Sequence, residues 1–541
     1  MNASEARYRY TMMCQEGMVA SAHPLASLSG IEILKAGGNA FDAAIAVNAV
    51  LNVTQPHACG IGGDIFYVLY DAKSGSVRCI NGSGRSARAS SIEIYEEKGL
   101  VRIPEKGILA AITVPGCVAG WESMLNEYGS MRPQQLLAPA IKYAERGFPV
   151  SHGLSRWINE SLESWARGSQ FKPWRDTLAR NGYVRPGDIL VQKDLAKTFK
   201  IMAKEGLDTF YSGSIADAIV GSLSRAGGLL SNEDLSKHRS EFCEPLSTSY
   251  RGFDVYETPP NSQGITALIW LNILESFDIR LLGHNTPENL HIMIEAKKLA
   301  FEDRAKYITD PDFLKPPVGT LLSKEYAATK ATLISKTETI RLGQGAFRKA
   351  HSDTTYLATV DKDRNCVSCI QSLYHPFGSG VIIEGTGILL QNRGSYFTLE
   401  RSHHNRLESS KRTFHTLCAS LALQDGEPFL VFGAAGADGQ PQIHVQIFSA
   451  IFDFGIDIQQ ALEAPRFFMP GTIYESVEQV LMEDRFPNST FEKLRLLGHE
   501  IQPIPYPSRS AGEAHAIMID SKRGVLLGGA DPRGDGIALG Y

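Results

Sequence analysis

His351-Ser352-Asp353-Thr354-Thr355-Tyr356-Leu357-Ala358-Thr359-Val360-Asp361 sets a Thr pair at the head of an apolar stretch in the last third of the chain. Residues 356–360 read as a strand, 361–365 as a polar turn and 366–373 as the returning strand of a β-hairpin. Asp-Thr-Thr before a strand is an ordinary turn-to-strand transition. A second reading comes from chemistry. A Thr freed on its amino side carries a hydroxyl nucleophile and an α-amine base of pKa about 7.7–8.0 on one residue. What surrounds the pair decides between the two.

Upstream, residues 329–352 hold few apolar residues and several Lys and Arg, which reads as a mobile, exposed connection. It divides the chain into 1–353, rich in helix, and 354–541. In the first part apolar residues recur at helical spacing over 24–35, Gly37-Gly38 stops that helix, and Asn39 caps a second over 41–53. A glycine loop over 56–64 feeds a strand over 65–70; it lacks the Gly-Lys-Ser/Thr ending of a phosphate-binding loop. Helices are expected over 118–128, 133–146, 194–205, 213–226, 287–307 and 440–453, and strands over 253–256, 387–390, 428–432 and 514–519. Helices and strands mixed without strict alternation indicate stacked layers of an α+β protein, not a Rossmann or barrel plan.

The 541 residues carry 54 basic and 59 acidic side chains, well mixed, for a formal charge of -5. No electrostatic case arises for nucleic acid or an anionic membrane. The N-terminus has no secretory apolar region and no run of about 18 apolar residues occurs, so the expected location is cytoplasmic. Eight scattered cysteines suit reduced thiols. Cys366 and Cys369, three apart in a strand, point to opposite faces and do not form a redox or metal pair. The 14 histidines form no ligand motif in sequence, and His403-His404 reads as a solvated loop. No metal and no cofactor is inferred.

Ordered landmarks run along the chain: Ala36-Gly37-Gly38-Asn39-Ala40-Phe41-Asp42-Ala43-Ala44, Gly60-Ile61-Gly62-Gly63, Val114-Pro115-Gly116-Cys117, Phe210-Tyr211-Ser212-Gly213, Pro259-Pro260-Asn261-Ser262-Gln263-Gly264, Asp303-Arg304, and Ala530-Asp531-Pro532-Arg533-Gly534-Asp535-Gly536. With the Thr pair they make a sequence that resembles the γ-glutamyltransferase family of N-terminal nucleophile hydrolases from about Gly17 to the C-terminus. The resemblance implies a four-layer αββα sandwich and a proenzyme that cuts itself between Asp353 and Thr354 into a large and a small subunit. It implies Thr354 as nucleophile with Thr355 beside it, Ser372 as its hydrogen-bonding hydroxyl, and Gly436 and Ala437 as oxyanion donors. It also implies Arg85 as a clamp for a substrate carboxylate, for which a guanidinium fork is well shaped.

Five positions depart from the glutathione-acting pattern. Arg393 and Tyr396 replace Gln and Asp, Tyr374 replaces an amide, and His415-Thr416 replaces a Ser pair; the stretch 398–410 is also short. A guanidinium in place of a carboxylate reverses the charge offered to a substrate ammonium, worth about 4 kcal/mol at ~4 Å and an effective dielectric of 20. The departures resemble the glutaryl and cephalosporin acylase branch and its transferase-like relatives. The expected function is a self-processing amidohydrolase or acyltransferase acting on γ-glutamyl or glutaryl-type amides. The alternatives are a glutaryl acylase with little glutathione activity and an unprocessed, non-catalytic binding relative. A Ser-His-Asp hydrolase is disfavoured by the lack of a Gly-x-Ser-x-Gly elbow. The expected partners are a small acyl amide and the two subunits of one precursor, with a homodimer of the processed heterodimer left open.

Overall fold

Alternation along the hairpin sends its two faces to different neighbours, and the architecture follows from that. The structure is a computed structural model that describes residues 9–341, 353–475 and 477–541. Fourteen strands form two seven-stranded sheets: β1 (Met12–Cys14), β2 (Met18–Ser21), β3 (Asp64–Asp71), β4 (Ser76–Gly82), β5 (Glu241–Cys243), β6 (Leu246–Tyr250), β7 (Phe253–Glu257), β8 (Asp353–Val360), β9 (Cys366–Tyr374), β10 (Ala419–Gln424), β11 (Glu427–Ala435), β12 (Glu513–Asp520), β13 (Val525–Ala530) and β14 (Ile537–Gly540). One sheet runs β14-β2-β8-β9-β3-β4-β5 and the other β1-β13-β12-β11-β10-β7-β6.

Along β8, Tyr356, Ala358 and Val360 face a core shared with Ala419, Leu421, Val431 and Ile517 of the other sheet. Leu357 on the opposite face joins a second core with α1 (Pro24–Lys35), α2 (Ala40–Thr54), α3 (Cys117–Tyr128), α4 (Pro133–Arg146) and α5 (Lys193–Glu205). The far face of the other sheet, with Leu430, Phe432 and Ala516, packs on α6 (Gly264–Leu274), α7 (Pro287–Tyr307) and α8 (Gln440–Phe452). Cys366 and Cys369 fall in different cores, as period-2 alternation requires. β8 is paired to β9 along its length and to β2 over Leu357–Val360, which sets the strand that begins with the Thr pair inside a sheet.

Local signals were read well. Helices 24–35, 118–128 and 133–146 form nearly as expected, and Asn39 closes a capping box with Asp42 on α2. Three expectations need correction. Only Ile388–Leu389 of the stretch 387–390 is strand, a short ribbon with Ile382–Ile383 outside both sheets. The start of the expected exposed connection is anchored: residues up to Ala331 complete a helix, and Ile340 donates to Glu295 (2.6 Å) while accepting from Lys298 (2.9 Å). Residues 342–352 lie outside the described residues. His403 and His404 are half-buried and stack on each other at 4.2 Å, so the pair is packed on one side and not fully solvated. Among the described residues no helix is long and apolar enough to cross a membrane.

The two sheets approach closely where Gly433 faces the Tyr356 ring: a Cβ there would lie 2.2 Å from a ring carbon. Gly433→Ala is expected to destabilise by about 1–3 kcal/mol or more, read as a lower Tm; a wild-type Tm would show that the sheets can part.

Candidate active site

Thr354 occupies an irregularity in the hairpin. Asp353 pairs with Tyr374 but Thr355 pairs with Gln371, so Ser372 and Leu373 together oppose Thr354 alone. A two-against-one bulge re-aims side chains. Here the Thr354 hydroxyl donates to Ser372 Oγ at 3.3 Å, and Ser372 Oγ also accepts the Tyr374 N–H at 2.7 Å. Thr354 is buried, which shields its hydroxyl from bulk water. Thr355 points to the other face, where it donates to Gln55 Oε1 (2.9 Å) at the end of α2. The structure thus joins Thr354 with Ser372 and assigns Thr355 to the support beneath them.

Arg393 sits beside this hairpin end, 1% exposed. Its guanidinium lies 4.1 Å over the Tyr374 ring and donates one N–H to Thr416 Oγ1 at 3.0 Å. Its Nε and Nη2 have no acceptor among the described residues. Burial pulls the Arg393 pKa down, and the surrounding Tyr374, Asp64, Tyr396 and Asp438 oppose that shift. Tyr374 adopts φ of +79°, an unusual backbone state for a residue with a side chain, which is how its ring reaches the cation.

The turn after β11 carries Gly436 and Ala437. Ala437 also has positive φ (+52°), and neither its N–H nor that of Gly436 meets an acceptor among the described residues. The turn is braced from behind. Gln263 donates to Ala437 O (2.8 Å) and Thr416 O (2.7 Å), and accepts from Arg304 (2.7 Å). Arg304 also pairs with Asp438 at 3.0 Å, and Asp438 accepts the Tyr396 hydroxyl at 2.7 Å. Tyr396, Thr416, Arg393 and the Ala437 turn are therefore one buried network.

Beneath it, Asp64 accepts from Gly84 N–H (3.0 Å) and Gln391 (2.9 Å) and contacts His415 Nε2 at 3.0 Å. Burial pushes the Asp64 carboxyl up to about 7, against the pull of Gln391, Arg393 and two backbone N–H groups. Burial, then the Arg393 charge, holds His415 well below the usual histidine range.

Arg85 is placed elsewhere. It pairs with Asp310 (3.0 Å) and Asp312 (2.7 Å), lies 3.7 Å from Glu241, and lines a cavity with His238 and Arg412. Its charge is matched by these carboxylates, and among the described residues its side chain makes no hydrogen bond to Thr354, Arg393 or Thr416. The supports Gln55, Asp64, Gln263, Arg304 and Asp438 were not singled out in sequence, although three stand in or beside the landmark segments. Two cavities border the network: one of about 440 Å³ touches Gln55, Ala435 and Gly436, and one of about 370 Å³ touches Tyr374 and Tyr396.

Folding also gathers ligand-type groups that sequence spacing leaves apart: His291, Glu295 and His499, and Glu257, Cys418 and His444. In the first, the Lys298 ammonium takes Glu295 at 2.7 Å, the place a metal would need. In the second, His444 and Glu257 hydrogen-bond to each other at 2.7 Å.

Comparison with known proteins agrees with this geometry. The model of the family described as gamma-glutamyltranspeptidase matches residues 26–541. The chain is 43% identical to the glutathione hydrolase-like YwrD proenzyme of Bacillus subtilis, over 97% of this chain and 98% of that one. It is 34% identical to the oxamate amidohydrolase proenzyme of Klebsiella pneumoniae, over 97% and 98%. Its structure is similar to that of cephalosporin acylase from Bacillus halodurans, with TM-score 0.91, 37% identity and coverage of 99% and 98%.

The Asp64 shift has a testable sign. Folding raises this pKa, so the folded chain holds the proton more tightly than the unfolded chain. The stabilisation is complete below about pH 4 and is lost as pH rises through about 7. The stability of wild type relative to Asp64→Asn is expected to fall by up to about 4 kcal/mol across that window, read as a shrinking Tm difference. A Tm difference independent of pH would contradict it.

Proposed function

The chain belongs to the gamma-glutamyltranspeptidase family, and from that premise we propose that it is a self-processing amidohydrolase whose acyl donors end in a carboxylate. The relatives named above are proenzymes, and the sheets and helices suit the four-layer αββα sandwich of N-terminal nucleophile hydrolases, with large subunit 1–353 and small subunit 354–541. In processing, the Thr354 hydroxyl attacks the Asp353 carbonyl, the peptide becomes an ester, and water releases a new amino terminus. That amine then takes the hydroxyl proton as Thr354 Oγ attacks the substrate amide. The oxyanion is received by the N–H groups of Gly436 and Ala437, each worth about 2.7–4 kcal/mol in the transition state. The amine proton passes to the leaving nitrogen, and water or an acceptor amine opens the acyl-Thr354 ester. The cytoplasm remains the proposed location.

The observation that carries the substrate class is the buried Arg393 with two N–H groups unmet by the described residues. An acyl chain ending in a carboxylate would satisfy both in fork geometry, as in glutaryl. A substrate ammonium would meet a guanidinium at the same place. The carboxylate clamp is therefore assigned to Arg393, and Arg85 to the acidic cluster that neutralises it.

Two results are expected. Wild-type protein resolves on a denaturing gel into fragments beginning at residues 1 and 354, and Thr354→Ala stays intact; equal cleavage of both would move the cut elsewhere. On processed enzyme, glutaryl p-nitroanilide is preferred over the γ-glutamyl compound, and Arg393→Gln lowers kcat/KM for the glutaryl donor about 10–100-fold. A clear preference for γ-glutamyl would overturn the assignment.

A further inference from the structure

Cys79 and Cys243 are distant in sequence, yet they are direct antiparallel partners in the ladder Cys79↔Cys243, Ile80↔Phe242, Asn81↔Glu241. β5, which carries Cys243, is the last strand of its sheet and has β4 as its only ladder partner there. Direct antiparallel partners hold their Cα atoms about 4.5–5.5 Å apart, inside the roughly 4.4–6.8 Å range of disulfides. Both are free thiols. Cys79 is buried at 1% exposure, whereas Cys243 is partly exposed, so one thiol is reachable and the other stands behind it.

Charge and contact divide their chemistry. The Cys79 contact draws the Cys243 thiol below its usual range and Arg412 adds to this, against burial and the nearby Glu241 and Glu244. Burial pushes Cys79 up. Cys243 is thus the attacking sulfur and Cys79 the resolving one.

We propose that Cys79 and Cys243 form a reversible cross-strand disulfide by exchange with a low-molecular-weight disulfide, fastening β5 to β4. Cys243 thiolate attacks one sulfur of the small disulfide, the S–S bond breaks, and one small thiolate leaves. Cys79 then loses its proton to water and attacks the Cys243 sulfur of the mixed disulfide, releasing the second small thiolate. Two protein thiols are oxidised and one small disulfide is reduced to two thiols. The bond would fix the strand whose Glu241 holds Arg412 (2.8 and 3.1 Å) and lies near Arg85. It would also close a long loop, which constrains the unfolded chain. This inference does not rest on the catalytic reading.

The test exposes the full chain to oxidised glutathione, digests it without reduction, and maps linked peptides by mass spectrometry. The expected result is a Cys79–Cys243 crosslink, a Tm roughly 2–5 °C above that of the dithiothreitol-treated protein, and in Cys79→Ser a stable glutathione adduct at Cys243. Wild-type protein in which both thiols remain open to alkylation under denaturing conditions, or in which Cys243 stops at the adduct, would overturn the proposal.

Discussion

The site depends on a mismatch of one residue between two strands. Because Ser372 and Leu373 share the place opposite Thr354, the Ser372 hydroxyl lies against the Thr354 hydroxyl and Tyr374 is turned through a positive φ onto Arg393. A regular ladder would lack that turn. β8 is held by ladders on both edges, so a cut before Thr354 frees a terminus without freeing the strand. The other face is locked by Thr355 on Gln55. Thr354, the proposed nucleophile, is thereby presented by a rigid element and not by a loop.

A buried cation is the second organising feature. Desolvating a guanidinium costs several kcal/mol unless partners replace water. Arg393 receives part of that from Thr416, the Tyr374 ring and the fields of Asp64 and Asp438, and two of its donors remain unmet among the described residues. An arrangement short of one acceptor is preorganised for an anion. The same network reaches the Ala437 turn through Thr416 and Gln263, so the proposed acyl clamp and the proposed oxyanion turn share one support.

What was legible in the sequence was local. The Asn39 cap, the hairpin and the amphipathic helices are set by residues a few positions apart, and they formed close to expectation. Thr354, Ser372 and Gly436 were reached through ordered landmarks, and the structure joins the first two. Contacts of long range were not legible. His415 meets Asp64 and Gln263 braces Ala437 only because the folded chain brings distant segments together, and Cys79 meets Cys243 only because their strands pair within one sheet. Arg85, in a Gly/Ser loop, gave no sign of the Asp310 and Asp312 carboxylates that occupy it. The connection before Thr354 read as exposed by composition, yet its first part is held by the buried Glu295–Lys298 pair.

The most direct test of the account is the intact mass of the fragments after brief mixing with glutaryl p-nitroanilide and acid quench. The account predicts a fragment spanning 354–541 that gains one glutaryl group, mapped to Thr354. A chain that stays whole at 541 residues, or an acyl group found on any other residue, would contradict it.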